Sequence, residues 1–413
     1  MEYIEEIQER VILVGVQLDE TDNVKESLDE LAELADTAGA ETVGKIIQNR
    51  ETVHPGTYIG KGKIEEVRAL MLAADATGII CDDELSPAQL KNLEDALDTK
   101  VMDRTMVILD IFASRARTRE GKIQVELAQL RYRAVRLVGL RNSLSRLGGG
   151  IGTRGPGEKK LEVDRRLIHE RISQLKSELE DVKRHREVVR KKRENGGALT
   201  AAIVGYTNAG KSTLLNRLTQ AGILAEDKLF ATLDPTTRAL TLPGGERVLL
   251  TDTVGFIRKL PHHLIEAFKS TLEEAKYSDV ILHVVDCSNP QMDMQMHVVY
   301  ETLRQLEITD KEIVTLFNKI DREGADTAGR DMAADYRVKI SAKTGEGLPD
   351  LLGVLETILR SRRIYFEKVF SYAEAGRIQR IRKNGRLLSE EYKEDGIHVT
   401  AYVPVELFEE LYR

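Results

Sequence analysis

Gly205-Tyr206-Thr207-Asn208-Ala209-Gly210-Lys211-Ser212 has the make-up of a phosphate cradle. Gly205 and Gly210 let a loop close tightly around an anion, Lys211 brings a cation to the β- and γ-phosphates, and the Ser212 hydroxyl suits Mg²⁺. The run Ala201-Ala202-Ile203-Val204 before it reads as a buried strand, and Ser212 to Leu218 after it has helical spacing. Asn208, Ala209, Gly210, Lys211, Ser212 and Thr213 are thereby expected where the amides of a helix N-terminus face the phosphates.

Three further motifs follow in an order that fits one chemistry. Asp252 ends the apolar run Val248-Leu249-Leu250, where a carboxylate can hold Mg²⁺ directly or through water. Gly255 can bring a backbone N–H to a γ-phosphate and release it after hydrolysis. Asn318-Lys319-Ile320-Asp321 follows the strand-like Ile313 to Phe317. The Asp321 carboxylate can accept guanine N1–H and N2–H together, a donor pair that adenine lacks, so an adenine would leave it unpaired. Lys319 would lie along the base, and Ser341-Ala342-Lys343 would offer a backbone N–H to guanine O6. The set predicts GTP over ATP, with Lys211, Thr232 and Gly255 as the catalytic candidates and Ser212, Thr232 and Asp252 as the Mg²⁺ ligands. Within Leu229 to Arg238 the residues Thr232, Thr236 and Thr237 compete for the metal, and Thr232 is favoured. After Gly255 stands Phe256, where Ras-like GTPases carry a water-orienting Gln. A phenyl ring cannot hydrogen-bond water, so slow intrinsic hydrolysis is expected, helped by another switch residue, a bound cation or a partner surface.

These groups need a scaffold. Residues 1–114 alternate strand and helix signals and predict a small N-terminal parallel α/β domain. Residues 115–194 read as a helical hairpin. Ile123, Leu127, Leu130, Ala134 and Leu137 recur at steps of three and four, while Leu161, Ile168, Leu175, Val182 and Val189 recur every seven, as in a coiled-coil seam. Residues 195–362 hold the GTP-binding motifs, and 363–413 read as a small α+β domain. The expected class is α/β: a P-loop GTPase domain with an N-terminal α/β domain, a coiled-coil hairpin subdomain and a C-terminal α+β domain.

Charge adds a partner. The chain's formal −7 hides an excess of 23 Lys and Arg over 10 Asp and Glu in residues 115–193, which leaves −20 on the rest. A basic segment in an acidic protein predicts a nucleic-acid surface. Its connection, read as Leu140 to Gly157, mixes glycines with Arg141, Arg146 and Arg154 and runs on into Lys159 and Lys160. Arginines bind phosphates or stack on bases, so these five are the candidate RNA contacts. No apolar run reaches membrane-spanning length, the N-terminus is acidic, and Cys81 and Cys287 read as buried thiols, which together predict a cytoplasmic protein.

The stretch Leu147-Gly148-Gly149-Gly150-Ile151-Gly152-Thr153-Arg154-Gly155-Pro156-Gly157-Glu158, the P-loop, and Phe230-Ala231-Thr232-Leu233-Asp234-Pro235-Thr236 joined to Asp252-Thr253-Val254-Gly255-Phe256 make the chain resemble the HflX family of translational GTPases nearly end to end. The resemblance implies a cytosolic, ribosome-associated GTPase that uses GTP and Mg²⁺ and binds the large ribosomal subunit. Its N-terminal module would reach toward the peptidyl-transferase centre and help split stalled ribosomes under stress. It also supports Thr232 as the switch I metal ligand and fits Phe256, since the family lacks the catalytic Gln. The hairpin can satisfy its own seam, so a monomer is expected. Two rival readings stay open: a checkpoint on immature large subunits, and a nucleotide-driven RNA-remodelling protein.

Overall fold

Short β-branched runs separated by amphipathic stretches build the first sheet. In a computed structural model, β1 (Arg10–Gln17), β2 (Glu41–Asn49), β3 (Gly78–Cys81) and β4 (Lys100–Asp103) pair in the order β2-β1-β3-β4, all parallel. The structure describes residues 8–19, 23–147, 156–194, 199–219, 229–230, 233–260, 272–326 and 329–412, and side chains within these except 138–147, 156–161, 185, 187–194, 384, 405 and 406. Helix α1 (Val24–Thr37) buries Val24, Leu28, Leu31, Leu34 and Ala35, the one-face spacing that a helix lying on a sheet requires. Helix α2 spans Lys61–Ala74. Helix α3 (Pro87–Leu97) starts with Pro87 in its first turn and a reciprocal capping box between Ser86 and Gln89.

Helix α4 (Arg104–Arg115) was not foreseen, because its apolar residues do not fall on one face. Val107, Ile108, Leu109, Ile111 and Phe112 are all buried, so the helix is covered nearly all round. Asp103 caps it, accepting Met106 N–H at 2.9 Å.

The hairpin follows. Helices α5 (Arg119–Leu147) and α6 (Pro156–Glu194) close on a seam of Ile123, Leu127, Ile172 and Leu175, with Leu130, Ile168, Leu179 and Val182 against it. The seam expected from the seven-residue period is thus present over its described part. The connection is shorter than read from the glycines: α5 continues through Leu147 and α6 begins at Pro156, so only residues 148–155 lie between them. Leu140, Leu144 and Leu147 keep helical spacing despite the polar residues among them, which is why the helix continues. The base of the hairpin is fastened to the sheet. Fully buried Asp103, at the end of β4, accepts Tyr132 O–H at 2.6 Å and Arg136 Nη2 at 2.7 Å, and the Arg136 guanidinium lies 3.6 Å from the Tyr132 ring centre. Asp103→Ala would leave a half-buried arginine and a buried hydroxyl without their acceptor. A loss of about 3 kcal/mol is expected, read as a lower denaturant midpoint of this part of the chain. An unchanged midpoint would show that the fastening contributes nothing.

The chain forms two compact units. The first joins residues 1–182 with the described parts of 226–234 and 254–272. In it Phe230 meets Phe112 edge-on at 4.6 Å, and Lys259 Nζ lies 2.6 Å from both Asp82 Oδ2 and Asp83 Oδ1, beyond the end of β3. Arg104, 1% exposed, completes that cluster with Asp82 at 2.7 Å and Glu30 at 2.6 Å. Burial opposes ionisation of Asp82, but Arg104 and Lys259 outweigh it and hold the carboxyl below its usual range.

The second unit carries a six-stranded sheet in the order β10-β9-β8-β5-β7-β6. Its strands are β5 (Leu199–Gly205), β6 (Thr236–Thr241), β7 (Arg247–Asp252), β8 (Val280–Asp286), β9 (Glu312–Asn318) and β10 (Tyr336–Lys339), and only β6 runs antiparallel to its neighbour. Helices α7 (Lys211–Thr219), α8 (Met292–Gln305) and α9 (Leu348–Ser361) accompany it. Ile203, Leu250, Leu282, Val284, Leu316, Leu351 and Leu355 form the core. Parallel strands covered on both faces explain the unbroken apolar run of β8. A three-stranded antiparallel sheet, β11 (Arg363–Phe370), β13 (Gly396–Pro404) and β12 (Arg386–Lys393) in that order, closes the chain with α10 (Ala375–Asn384) and α11 (Val405–Tyr412) around Phe366, Phe370, Ile381 and Val399. Strand β12 is largely exposed and polar, which hid it in the sequence. The α/β class with a P-loop domain is therefore the observed one. Cys81 lies in β3, Cys287 lies one residue beyond β8 rather than in a strand, and both are buried free thiols.

Candidate nucleotide site

Four strand ends converge on the loop after β5. Parallel strands bring β5, β7, β8 and β9 to a common C-terminal edge, where open α/β sheets bind ligands. Two glycines give the loop its path. Gly205 has φ +152°, and a Cβ there would stand 2.3 Å from Val284 O; Gly210 has φ +100°, and its Cβ would meet Asn318 Nδ2 at 2.3 Å. Only glycine fits either position. Ala209 follows Asn208, which itself takes the left-handed conformation at φ +60°.

Lys211 opens α7 and is 6% exposed, with its ammonium donating to Tyr206 O at 2.7 Å. Burial draws its pKa down to about 8, Asp252 opposing that shift and Lys319 adding to it. The site thus holds a cation in want of anionic company, which phosphates would provide. The sign follows directly. Lys211 is charged below about 8 and loses its proton above it, so phosphate binding at higher pH must first take up a proton. Nucleotide affinity is expected to stay level up to pH 7.5 and to fall about tenfold by pH 9. Titration with a fluorescent nucleotide, with calorimetry in two buffers to count protons, checks this; a flat profile would refute it.

Ser212 Oγ donates to Asp252 Oδ2 at 2.7 Å, so a hydroxyl on the first turn of α7 and a fully buried carboxylate ending β7 already adjoin. Two hard oxygen ligands beside a phosphate loop fit Mg²⁺, which takes one or two protein oxygens and fills its shell with water and phosphate. Among the described residues no cluster of three His, Cys, Asp or Glu offers a rival metal centre. Thr213 is half-buried in the same turn. Thr232 lies outside the described residues. Thr253, next to Asp252, is fully buried and donates its hydroxyl to Ile203 O at 2.7 Å, which fixes the end of β7. Gly255 follows, grouped with the first unit, and Phe256 is 2% exposed, a core side chain rather than a solvent-facing one.

Asn318 ends β9 and joins two loops. Its Nδ2 donates to Ala209 O at 2.8 Å, and its Oδ1 accepts Ala342 N–H at 2.9 Å. The Ala342 amide of the 341–343 turn is thus engaged by Asn318. Lys319, at φ +67°, donates to Asn208 O at 2.7 Å and pairs with Asp286 at 2.6 Å. Sequence reasoning missed Asp286, whose signal was its place at the end of β8, like Asp252 at the end of β7. Asp321 is exposed, and the Ser341 hydroxyl hydrogen-bonded to it lowers its pKa, with help from its own backbone amide and Lys343. An ionised acceptor next to a rigid turn (Ser341 is fully buried) is what a base with two adjacent donors requires. The structure therefore gathers Gly205, Asn208, Ala209, Gly210, Lys211, Ser212, Thr213, Asp252, Asn318, Lys319, Asp321, Ser341, Ala342 and Lys343 along the C-terminal edge of one sheet. Of the RNA candidates, Arg154 and the side chains of Arg141, Arg146, Lys159 and Lys160 lie outside the described residues. No described helix is long and apolar enough to cross a membrane.

Three family models match in succession: one described as GTP-binding GTPase N-terminal over residues 25–113, one as GTP-binding GTPase Middle Region over 115–193, and one as 50S ribosome-binding GTPase over 200–319. The GTPase HflX of Lacrimispora saccharolytica is 74% identical over 408 residues, covering 99% of this chain and 96% of that protein. The GTPase HflX of Caldanaerobacter subterraneus subsp. tengcongensis is 49% identical over 411 residues, covering 100% and 95%. Among solved structures, a GTP-binding protein from Sulfolobus solfataricus in complex with GDP aligns at 24% identity over 85% of this chain and 98% of that one, with a TM-score of 0.46. Identity of that extent with the two bacterial relatives makes the chain a member of the HflX family, a GTPase.

Proposed function

We propose that this GTPase binds the large ribosomal subunit through ribosomal RNA and splits stalled ribosomes in a GTP-dependent way. The observation that carries the reading is the hairpin. Its segment bears a net +13, and its base is fastened to the N-terminal sheet through Asp103. The family model over residues 200–319, described as a 50S ribosome-binding GTPase, supports the same partner. In this reading Arg141, Arg146, Arg154, Lys159 and Lys160 contact RNA, and the protein works as a cytoplasmic monomer.

The catalytic roles are assigned on chemistry. Lys211 and the amides opening α7 hold the β- and γ-phosphates, Gly255 N–H meets the γ-phosphate, and Asp321 with Lys319 and the 341–343 turn select guanine. Mg²⁺ held by Ser212, Thr232 and Asp252 would neutralise charge on the phosphate oxygens. Phe256 offers no hydrogen bond to the attacking water, so basal turnover is slow and the ribosome supplies the missing group.

Hydrolysis is measured with and without purified large subunits, and light scattering follows intact ribosomes after protein and GTP are added. Strong stimulation with falling scattering is expected, and deletion of residues 141–157 should remove both while basal hydrolysis persists. Stimulation without splitting would favour the assembly-checkpoint reading. No stimulation would overturn the ribosomal partner.

A further inference from the structure

Three helices of the first unit fail to close on one another. Ile172 and Leu175 of α6 pack fully against Ile123 and Leu127 of α5. One helical turn earlier in α6 the packing loosens: Ile168 is only partly buried and Leu167 is 53% exposed. Between α4, α5 and α6 lies a cavity of about 550 Å³, walled by Met106, Leu109, Tyr132, Leu137, Leu167 and Ile168. That volume falls within the ~300–1,000 Å³ of small-molecule sites, which join apolar walls to a few polar groups. Apolar walls open to water are unfavourable, and an apolar ligand lying on them removes that cost.

The polar groups at the edge are few and one-sided. They are Asp110, Gln129, Arg133 and Asp164. Among the described residues, none of these four side chains makes a hydrogen bond or an ion pair. Arg136 differs, since Asp103 holds it at 2.7 Å and its guanidinium lies over the Tyr132 ring. Two carboxylates thus stand against one unengaged guanidinium, an excess of negative charge. Asp110 is exposed, yet the helices beside it withhold enough water to keep its carboxyl above its usual range. Lys100 opposes that shift, Glu9 adds to it and Arg133 opposes it. Lys100 is itself paired with Glu9 at 2.6 Å. A cation arriving at this edge would meet a carboxylate that its neighbours leave under-compensated.

We propose that the cavity binds a hydrophobic amine. A flat, drug-sized apolar body lies between α4, α5 and α6, and its one basic nitrogen is held at Asp110, with Asp164 adding to the negative potential. Tyr132 and Arg136 belong both to the cavity and to the clasp on Asp103. An occupant therefore also stiffens the attachment of the hairpin to the first sheet. The site lies wholly within the first unit and is independent of the nucleotide edge.

The test is calorimetry on the full chain with two probes: imipramine, a tricyclic tertiary amine, and carbamazepine, a neutral tricycle of similar size. Imipramine is expected to bind with a Kd of about 10–100 μM, and carbamazepine about tenfold more weakly. Asp110→Asn should weaken imipramine at least tenfold and leave carbamazepine as it was. Leu167→Trp, which sets an indole into the cavity, should remove binding of both. Both substitutions fall at exposed positions, and an unchanged thermal melt without ligand reports an intact fold. Absence of imipramine binding would overturn the proposal. So would equal affinity for the two tricycles, or binding that survives Leu167→Trp. Imipramine affinity unchanged in Asp110→Asn would remove the carboxylate's role and with it the choice of an amine.

Discussion

Lys211→Ala is expected to weaken GTP and GDP binding at least a hundredfold while leaving the fold as stable as before. The lysine is buried, and its ammonium donates to Tyr206 O. Burial lowers its pKa to about 8, so the surroundings of the ammonium disfavour the charge it carries. A charged donor to a phosphate oxygen contributes about 1.5–3 kcal/mol, and at least two phosphates are within its remit, so the loss approaches 3 kcal/mol or more, a factor above one hundred. Stability moves the other way or not at all, because the substitution removes a desolvated cation whose partners are few. Fluorescent-nucleotide titration beside a thermal melt separates the two. Unchanged affinity would refute the phosphate-loop assignment, and a collapsed melting temperature would show that Lys211 is structural.

Asp321→Asn carries the second large effect. The carboxylate presents two acceptor oxygens, held ionised chiefly by the Ser341 hydroxyl. Two charge-assisted bonds to guanine N1–H and N2–H are worth about 3–6 kcal/mol together. An asparagine would set an NH₂ donor against one of those donors. GTP affinity should fall about a thousandfold, and a base with a carbonyl at position 2, xanthine, should regain much of it. Competition between GTP and XTP for the variant decides the matter. A variant that still prefers GTP would remove Asp321 from base recognition, whatever its neighbours do.

Both effects are expected of residues whose proposed roles are legible in one dimension. The phosphate loop is legible because its chemistry is backbone chemistry: glycines at 205 and 210, a lysine and a serine must be adjacent in sequence to be adjacent in space. Asn318 to Asp321 and Ser341 to Lys343 are legible for the same reason, each being one short turn at a strand end. The hairpin shows through its seven-residue period, since Ile168, Leu175 and Val182 must recur to stay on one seam. Helix α4 did not show, because burial wraps most of its circumference, leaving only Asp110, Ala113 and Ser114 exposed, and so blurs its periodicity. Strand β12 did not show, because an exposed edge leaves no alternation to read.

The sequence by itself determined the GTPase class, the candidate base-reading residues and the basic segment, because those rest on residue type at fixed short spacing. Only the tertiary structure decided what holds these parts in register. Asn318 ties the phosphate loop to the 341–343 turn, Asp286 takes the far end of Lys319, and Asp103 fixes the hairpin to its sheet. Lys259 enters the acidic cluster at the end of β3, and Asp234 caps a helix that begins 115 residues before it. Such contacts join residues tens to hundreds of positions apart. They follow from which strand ends the sheet order places side by side, and no local pattern records that order.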